Sequence, residues 1–597
     1  MSNVLFPERL SIGWLAEQYR SHQLAPREVM EEIMRRAARD ADMNIWITPP
    51  SMEMLEPYLT GLMSMDPEQA PLWGIPFAIK DNIDLAGIPT TAGCPEFAYT
   101  PGEHASVVER LIAAGAIPVG KSNLDQFATG LVGTRSPHGE THNSLKPELI
   151  SGGSSGGSAV AVARGQAAFS LGTDTAGSGR VPAALNRLVG YKPSLGAWPT
   201  RGVVPACASL DCVTVFATGL EDALVVDCAV RGVDPKDPWS RDIQRSGNRL
   251  PEVLLLPEGT PDFYGPYAEM YEQAWKNAVL SLEKLGIPVK YIDTSLFAEA
   301  AAVLYDGPMV AERWADLGGF VESHPETVFP VTETILRSGA SPKYTAASVF
   351  QSVHKLQGLK LEAGKLLENS VLVMPTCGGT WSRDQVRENP ISTNSDMGRY
   401  TNHCNLLDLS AVAVPAGEAG VDLPFGITLF ALADNEELIC GTAELLNPET
   451  SLLAPGSSAP ESTSTQTAAN GDEVLLAVCG LHMRGFSLET QMLSCGASFL
   501  HEAATAPQYR MVRLEGATPK PGLLKVLQGG ASLSLEVWTM PAASFGGFVA
   551  SIPAPLGIGR ISLIDGSEVS GFLCESYAAE GAEDITSSGG WRQAVRS

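Results

Sequence analysis

Three residues have types and spacing suited to nucleophilic chemistry. Lys80 lies in Gly74-Ile-Pro-Phe-Ala-Ile-Lys-Asp-Asn82. Ser154 follows it by 74 residues in Ser151-Gly-Gly-Ser-Ser-Gly-Gly-Ser158, and Ser178 comes 24 residues later in Gly172-Thr-Asp-Thr-Ala-Gly-Ser-Gly-Arg180. Glycines flanking a serine let a substrate carbonyl and backbone N–H groups approach closely. That suits a serine nucleophile served by a backbone oxyanion hole. A phosphate-binding loop is excluded, because no Gly-Lys-Ser/Thr closes either segment. The pattern predicts a serine hydrolase acting on amide bonds.

These residues need a scaffold. Helical spacing over Leu10–Ala41, interrupted at Pro26, predicts two helices. Trp73–Asp84 predicts a strand feeding a loop at Lys80, and helix-like Ser106–Ala114 precedes strand-like Ala116–Val119. This alternation argues for an α/β domain. A chain of 597 residues exceeds one core. The break is expected at 447–471, rich in Ser, Thr, Pro and Ala, between a domain over 1–446 and a second over 472–597. In the second, Val474–Val478, Ser532–Trp538 and Arg560–Leu563 read as strands punctuated by Gly and Pro, so α+β or mostly β is expected. A formal charge of −26 without a basic run argues against nucleic acid. No apolar run is long enough for a bilayer, the N-terminus does not read as a signal peptide, and ten scattered cysteines predict reduced thiols in a cytoplasmic protein with no metal site.

The three ordered segments around Lys80, Ser154 and Ser178 resemble the amidase signature family, with weaker similarity over roughly 1–446. The resemblance implies an α/β/α sandwich around a mixed sheet, with a smaller C-terminal α+β domain beside it. It also implies a Ser–cis-Ser–Lys triad: Ser178 the nucleophile, Ser154 the bridging serine after a cis peptide, and Lys80 the base. Lysine accepts a proton only when neutral, so burial must lower its pKa. Backbone N–H groups of Thr175, Ala176, Gly177 and Ser178 are expected to hold the oxyanion. Asp174 and Arg180 are expected to brace the nucleophile loop as an ion pair, Ser155 to support Ser154 by hydrogen bonding, and Ser151, Ser158, Asp81 and Asp84 to be structural.

Substrate choice is read from two further segments. Leu304-Tyr-Asp-Gly-Pro-Met-Val-Ala-Glu-Arg-Trp314 resembles the substrate-recognition segment of allophanate hydrolases, which implies that Tyr305 and Arg313 bind an anionic amide, with Arg313 on a helix that Pro308 starts. Gly130, in Ala128-Thr-Gly-Leu, is a candidate backbone contact. The C-terminal region, through segments such as Tyr509-Arg-Met-Val-Arg-Leu514 and Gly571-Phe-Leu-Cys-Glu575, resembles the C-terminal domain of the same enzymes. There His482 is the candidate titratable group in a loop suited to a small anion, although Glu489 stands where the family often has Asn. The resemblance implies hydrolysis of allophanate to ammonia and N-carboxycarbamate without a cofactor, decarboxylation promoted by the C-terminal domain, a homodimer, and a functional link to a urea carboxylase. The alternatives are an amidase for another small carboxylated amide, such as malonamate, with biuret also open as a substrate, and the amidase subunit of a tRNA-dependent amidotransferase.

Overall fold

The computed structural model describes residues 4–245, 247–305, 307–446, 473–514, 519–526, 529–564, 568–579 and 581–595. Its chain divides into two compact units, Met1–Pro455 and Gly456–Ser597. The expected linker, 447–471, lies outside the described residues.

The first unit is built on an eleven-stranded mixed sheet. Its strands are β1 (Trp46–Thr48), β2 (Pro76–Lys80), β3 (Ile117–Ser122), β4 (Phe169–Thr173), β5 (Val189–Lys192), β6 (Val213–Ala217), β7 (Val253–Pro257), β8 (Val289–Ile292), β9 (Ser370–Pro375), β10 (Leu409–Gly420) and β11 (Leu423–Leu432). They lie side by side as β1-β3-β2-β4-β6-β5-β10-β11-β9-β7-β8. β2 is flanked by β3 and β4, both parallel to it, and all five of its residues are buried. A strand covered on both faces reads as an unbroken apolar run, which is what Pro-Phe-Ala-Ile supplies before Lys80. Because β2 and β4 run the same way, their carboxyl ends deliver Lys80 and Thr173 to one edge, the usual place for a site in an α/β sheet.

The first helices bear out the sequence pattern. Ile12–Arg20 is capped by Ser11, whose hydroxyl accepts the Trp14 N–H at 3.2 Å. Pro26 begins Pro26–Arg39, where its missing N–H removes nothing. Pro308 behaves differently from expectation. The helix carrying Arg313 is Val310–Ser323, preceded by Met309 in helical conformation, so Pro308 lies in the turn before it.

The second unit is β-rich with short helices. A five-stranded sheet runs Ser498–Ala504, Ser534–Pro541, Glu473–Val478, Glu568–Cys574, Leu556–Ser562, and a three-stranded one Lys520–Lys525, Tyr509–Leu514, Glu583–Asp584. Their shared core contains Trp538, Trp591, Tyr509 and Met540. Among the described residues no helix is long and apolar enough to cross a membrane. All ten cysteines are free.

Candidate active site

Lys80 is completely buried. Its Nζ donates to Ser154 Oγ at 2.7 Å and to Thr173 Oγ1 at 2.7 Å. Burial drives its pKa down from 10.5 to about 7, against the opposing charges of Asp211, Asp125 and Asp174. A lysine so placed is partly neutral near neutrality and can take a proton from a hydroxyl. Thr173 carries no sequence signal of its own; its part follows from β4 lying beside β2.

The peptide joining Gly153 to Ser154 is cis. Ser154 is held by its carbonyl, which accepts the Asp125 N–H at 3.0 Å. Asp125 in turn accepts the N–H groups of Val132, Gly133 and Arg135 at 3.2, 3.0 and 2.9 Å. A Cβ at position 153 would collide with Asp125 Oδ2, so only glycine lets the serine loop lie against this carboxylate. Ser155 departs from expectation: its hydroxyl donates to the Thr173 carbonyl at 3.2 Å and accepts the Thr173 N–H at 3.4 Å, fastening the loop to β4 without touching Ser154 Oγ. Ser158, in the first turn of Gly156–Ala163, bridges Ser122 Oγ and the Leu171 carbonyl. Asp81 pairs with the buried Lys121 at 3.4 Å.

Ser178 sits in the loop after β4, 4% exposed, and its hydroxyl makes no hydrogen bond among the described residues. The structure thus joins Lys80 to Ser154 directly and leaves Ser178 Oγ uncommitted. Asp174 shapes the loop. It binds Arg180 through both carboxylate oxygens, at 2.8 and 2.9 Å, and accepts the N–H groups of Gly177 at 2.7 Å and Gly179 at 3.0 Å. Burial pushes this carboxyl up, but the Arg180 charge outweighs it and holds Asp174 below the usual carboxylate range. The pair meets the expectation of a brace. It also corrects the expected oxyanion hole, because the Gly177 N–H already faces Asp174. The N–H groups of Thr175, Ala176 and Ser178 have no partner among the described residues and remain available to a developing oxyanion. Gly177 adopts φ +139°, and a Cβ there would run into the Thr401 hydroxyl, which donates to the Ala176 carbonyl at 2.8 Å.

Arg313 is 2% exposed, and its guanidinium donates to Thr129 Oγ1 at 2.9 Å. This is not the surface position common for arginine on a helix. Gly130 is the next residue after Thr129, and its Cα lies so near Asp125 that a Cβ would strike the carboxylate. Phe127 and Ala128, just before, both adopt left-handed backbone at φ +52° and +51°. Tyr305 ends the helix Ser295–Tyr305, and its side chain lies outside the described residues.

In the second unit His482 is half-buried, stacked on Phe572 with ring centres 4.8 Å apart, and joined through Nε2 to Gln491 at 3.1 Å. Burial lowers its pKa. It lines a pocket of about 40 Å³ with Cys479, Lys520, Pro521 and Phe572. The loop beyond it does not offer the free donors expected of an anion site. Its Arg484 N–H donates to Glu536 at 2.9 Å and its Gly485 N–H to Glu489 at 2.7 Å. Protein carboxylates occupy those positions.

The chain matches the family described as Amidase over residues 28–440, and the family described as Allophanate hydrolase C-terminal domain over residues 474–596. It is 39% identical to the urea amidolyase of Saccharomyces cerevisiae, over 98% of this chain and 33% of that protein. It therefore spans about a third of the length of that relative. A solved structure of Kluyveromyces lactis allophanate hydrolase is similar at a TM-score of 0.68 and 36% identity, covering 98% of this chain and 99% of that one. A glutamyl-tRNA(Gln) amidotransferase subunit of Cyanothece sp. is 32% identical over 62% of this chain and 82% of its own length.

Proposed function

The chain belongs to the amidase family, and from that premise we propose that it hydrolyses allophanate as a step in urea degradation. The observation that carries the reading is Arg313, a guanidinium buried beside Thr129 on the helix Val310–Ser323 of a unit that also holds the Lys80–Ser154 pair. A buried arginine suits a small carboxylate. The likeness to an allophanate hydrolase over nearly its whole length, C-terminal region included, supports the substrate. The amidotransferase subunit accounts for 62% of the chain and leaves the remainder without a role.

In this reading the carboxylate of allophanate rests on Arg313 and Tyr305, with Gly130 beside it. Ser178 Oγ attacks the terminal carbamoyl carbon while its proton passes through Ser154 Oγ to neutral Lys80. The N–H groups of Thr175, Ala176 and Ser178 stabilise the oxyanion. The C–N bond to the terminal amino group breaks, and that group leaves as ammonia after taking the proton back along the same path. Water, deprotonated by the same relay, then releases N-carboxycarbamate from Ser178. Residues 472–597 form a separate domain, joined by the linker 447–471 to the amidase domain 1–446, and promote decarboxylation of that product, His482 being the candidate group. The sum is two ammonia and two carbon dioxide per allophanate. The protein works in the cytoplasm as a homodimer and draws its substrate from a urea carboxylase; the extra length of the urea amidolyases supports such a link.

Ammonia release should be measured from allophanate, biuret, urea and malonamate, with wild-type protein and Arg313→Ala. Allophanate should be the best substrate, and Arg313→Ala should lose on the order of 10²-fold or more in kcat/KM on it, as when a buried charge partner is removed, with a much smaller loss on a neutral amide. Equal losses on both, or no turnover of allophanate by the wild type, would overturn the reading.

A further inference from the structure

Asp211 is a buried carboxylate that the amide-cleaving steps do not use. It closes the segment Ala206–Asp211, which lies between the nucleophile loop and the arginine-bearing helix. One oxygen accepts the Thr175 hydroxyl, from the loop that presents Ser178. The other accepts the Ala206 N–H at 2.7 Å. The same segment reaches the helix of Arg313 through Ser209, whose N–H and hydroxyl both donate to Glu312 at 2.7 Å. Asp211 also forms part of the wall of an open pocket of about 240 Å³ shared with Arg201, Lys236 and Asp237.

We propose that Asp211 is a positioning residue for the amide hydrolysis: it ties the nucleophile loop to the segment that Glu312 anchors. The proposal rests on the reading of Lys80 and Ser178 as base and nucleophile. Residues carrying the loop and the carboxylate reader are far apart in sequence, and the segment Ala206–Asp211 is the element bonded to both. A carboxylate there accepts from the Thr175 hydroxyl and from the Ala206 and Cys207 N–H groups; an amide can keep the two N–H groups on its oxygen and turn its NH2 to the Thr175 oxygen, so Asp211→Asn removes the charge and reverses the Thr175 bond without leaving a donor unmet.

The charge of Asp211 bears on its surroundings as well. Asp211, Asp125 and Asp174 act on Lys80, Arg313 acts on Asp211 from the helix, and Arg313, Asp211 and Glu312 act on Cys207 in the same segment. Among the charges that oppose the burial of Lys80, Asp211 acts most strongly. Burial raises its own pKa to about 6, against the Thr175 hydrogen bond. Removing its charge makes Lys80 a weaker base, and the acid limb of kcat/KM moves to lower pH.

The test compares Asp211→Asn and Thr175→Val with wild type in the full-length protein, reading kcat and the pH profile of kcat/KM on allophanate. Asp211→Asn keeps the N–H contacts and removes the charge, so it should move the acid limb down by about one pH unit, as expected for loss of one nearby charge, while kcat falls less than in Thr175→Val. Thr175→Val removes the tie and keeps the charge, so kcat should fall while the limb stays in place. The proposal is overturned if Thr175→Val keeps kcat within twofold, or if its kcat falls no further than that of Asp211→Asn. If Asp211→Asn does not fold, the Thr175→Val result alone decides. A wild type inactive on allophanate would instead count against the functional reading.

Discussion

Replacing Lys80 by methionine should make the amidase unit more stable below pH 8, and the gain should vanish as the pH rises. The native pKa is about 7 and the ordinary value 10.5. The folded value is the lower one, so between these limits the unfolded chain binds a proton that the native chain does not. Stability then rises with pH through that window, and the handicap is full below about pH 7. The gap of about 3.5 pH units, at about 1.4 kcal/mol each, corresponds to about 5 kcal/mol. Loss of the bonds to Ser154 and Thr173 offsets about 2 kcal/mol at any pH. The net advantage of Lys80→Met at pH 6.5 is therefore about 3 kcal/mol, and by pH 9.5 it should shrink by about 3 kcal/mol. Urea unfolding of both proteins at matched pH reads this directly, because titrating groups that do not interact with Lys80 cancel in the difference. A difference that is independent of pH from 6.5 to 9.5 would refute the claim that Lys80 is held neutral by burial.

Two other substitutions test the frame around the site. Gly177→Ala puts a Cβ against the Thr401 hydroxyl at a backbone angle that side chains avoid; turnover should fall about 10²-fold, and a variant with wild-type kcat would show that the loop yields freely. In the second unit, the Glu536 carboxylate receives Arg484, Arg592 and the Trp538 indole N–H. Glu536→Ala removes the buried acceptor, leaving the Trp538 N–H without it, and should lower the stability of that unit by about 1–3 kcal/mol in denaturant unfolding, with a loss under about 0.5 kcal/mol speaking against the clamp.

The candidate chemistry-bearing residues stand out in the sequence because glycine runs and chain order mark them. Lys80, Ser154 and Ser178 stand in segments whose composition suits little besides close backbone approach, and the apolar run before Lys80 announces a covered strand. What escapes a linear reading is everything that depends on distant neighbours. Thr173 meets Lys80 across 93 residues and Thr129 meets Arg313 across 184; no local pattern marks either. The Gly177 N–H looks available in the sequence because an Asp174 bonded to Arg180 has no evident need of further donors, yet the turn brings both backbone N–H groups onto it. Ser155 is a similar case: adjacency in the chain suggests Ser154 as its partner, while sheet geometry places it beside Thr173. Pro308 misses its expected place as first helical residue, since the helix begins two residues later.

The pairing of Asp174 with Arg180 has a consequence for the conditions under which the nucleophile loop keeps its form. Both side chains are shut away from solvent, with no exposed area on either. Mobile ions weaken attraction between charges they can surround, and they cannot enter here. The curvature that presents Ser178 is thus indifferent to ionic strength, whereas the carboxylate of the proposed substrate, approaching from bulk water, would feel every counter-ion on the way in.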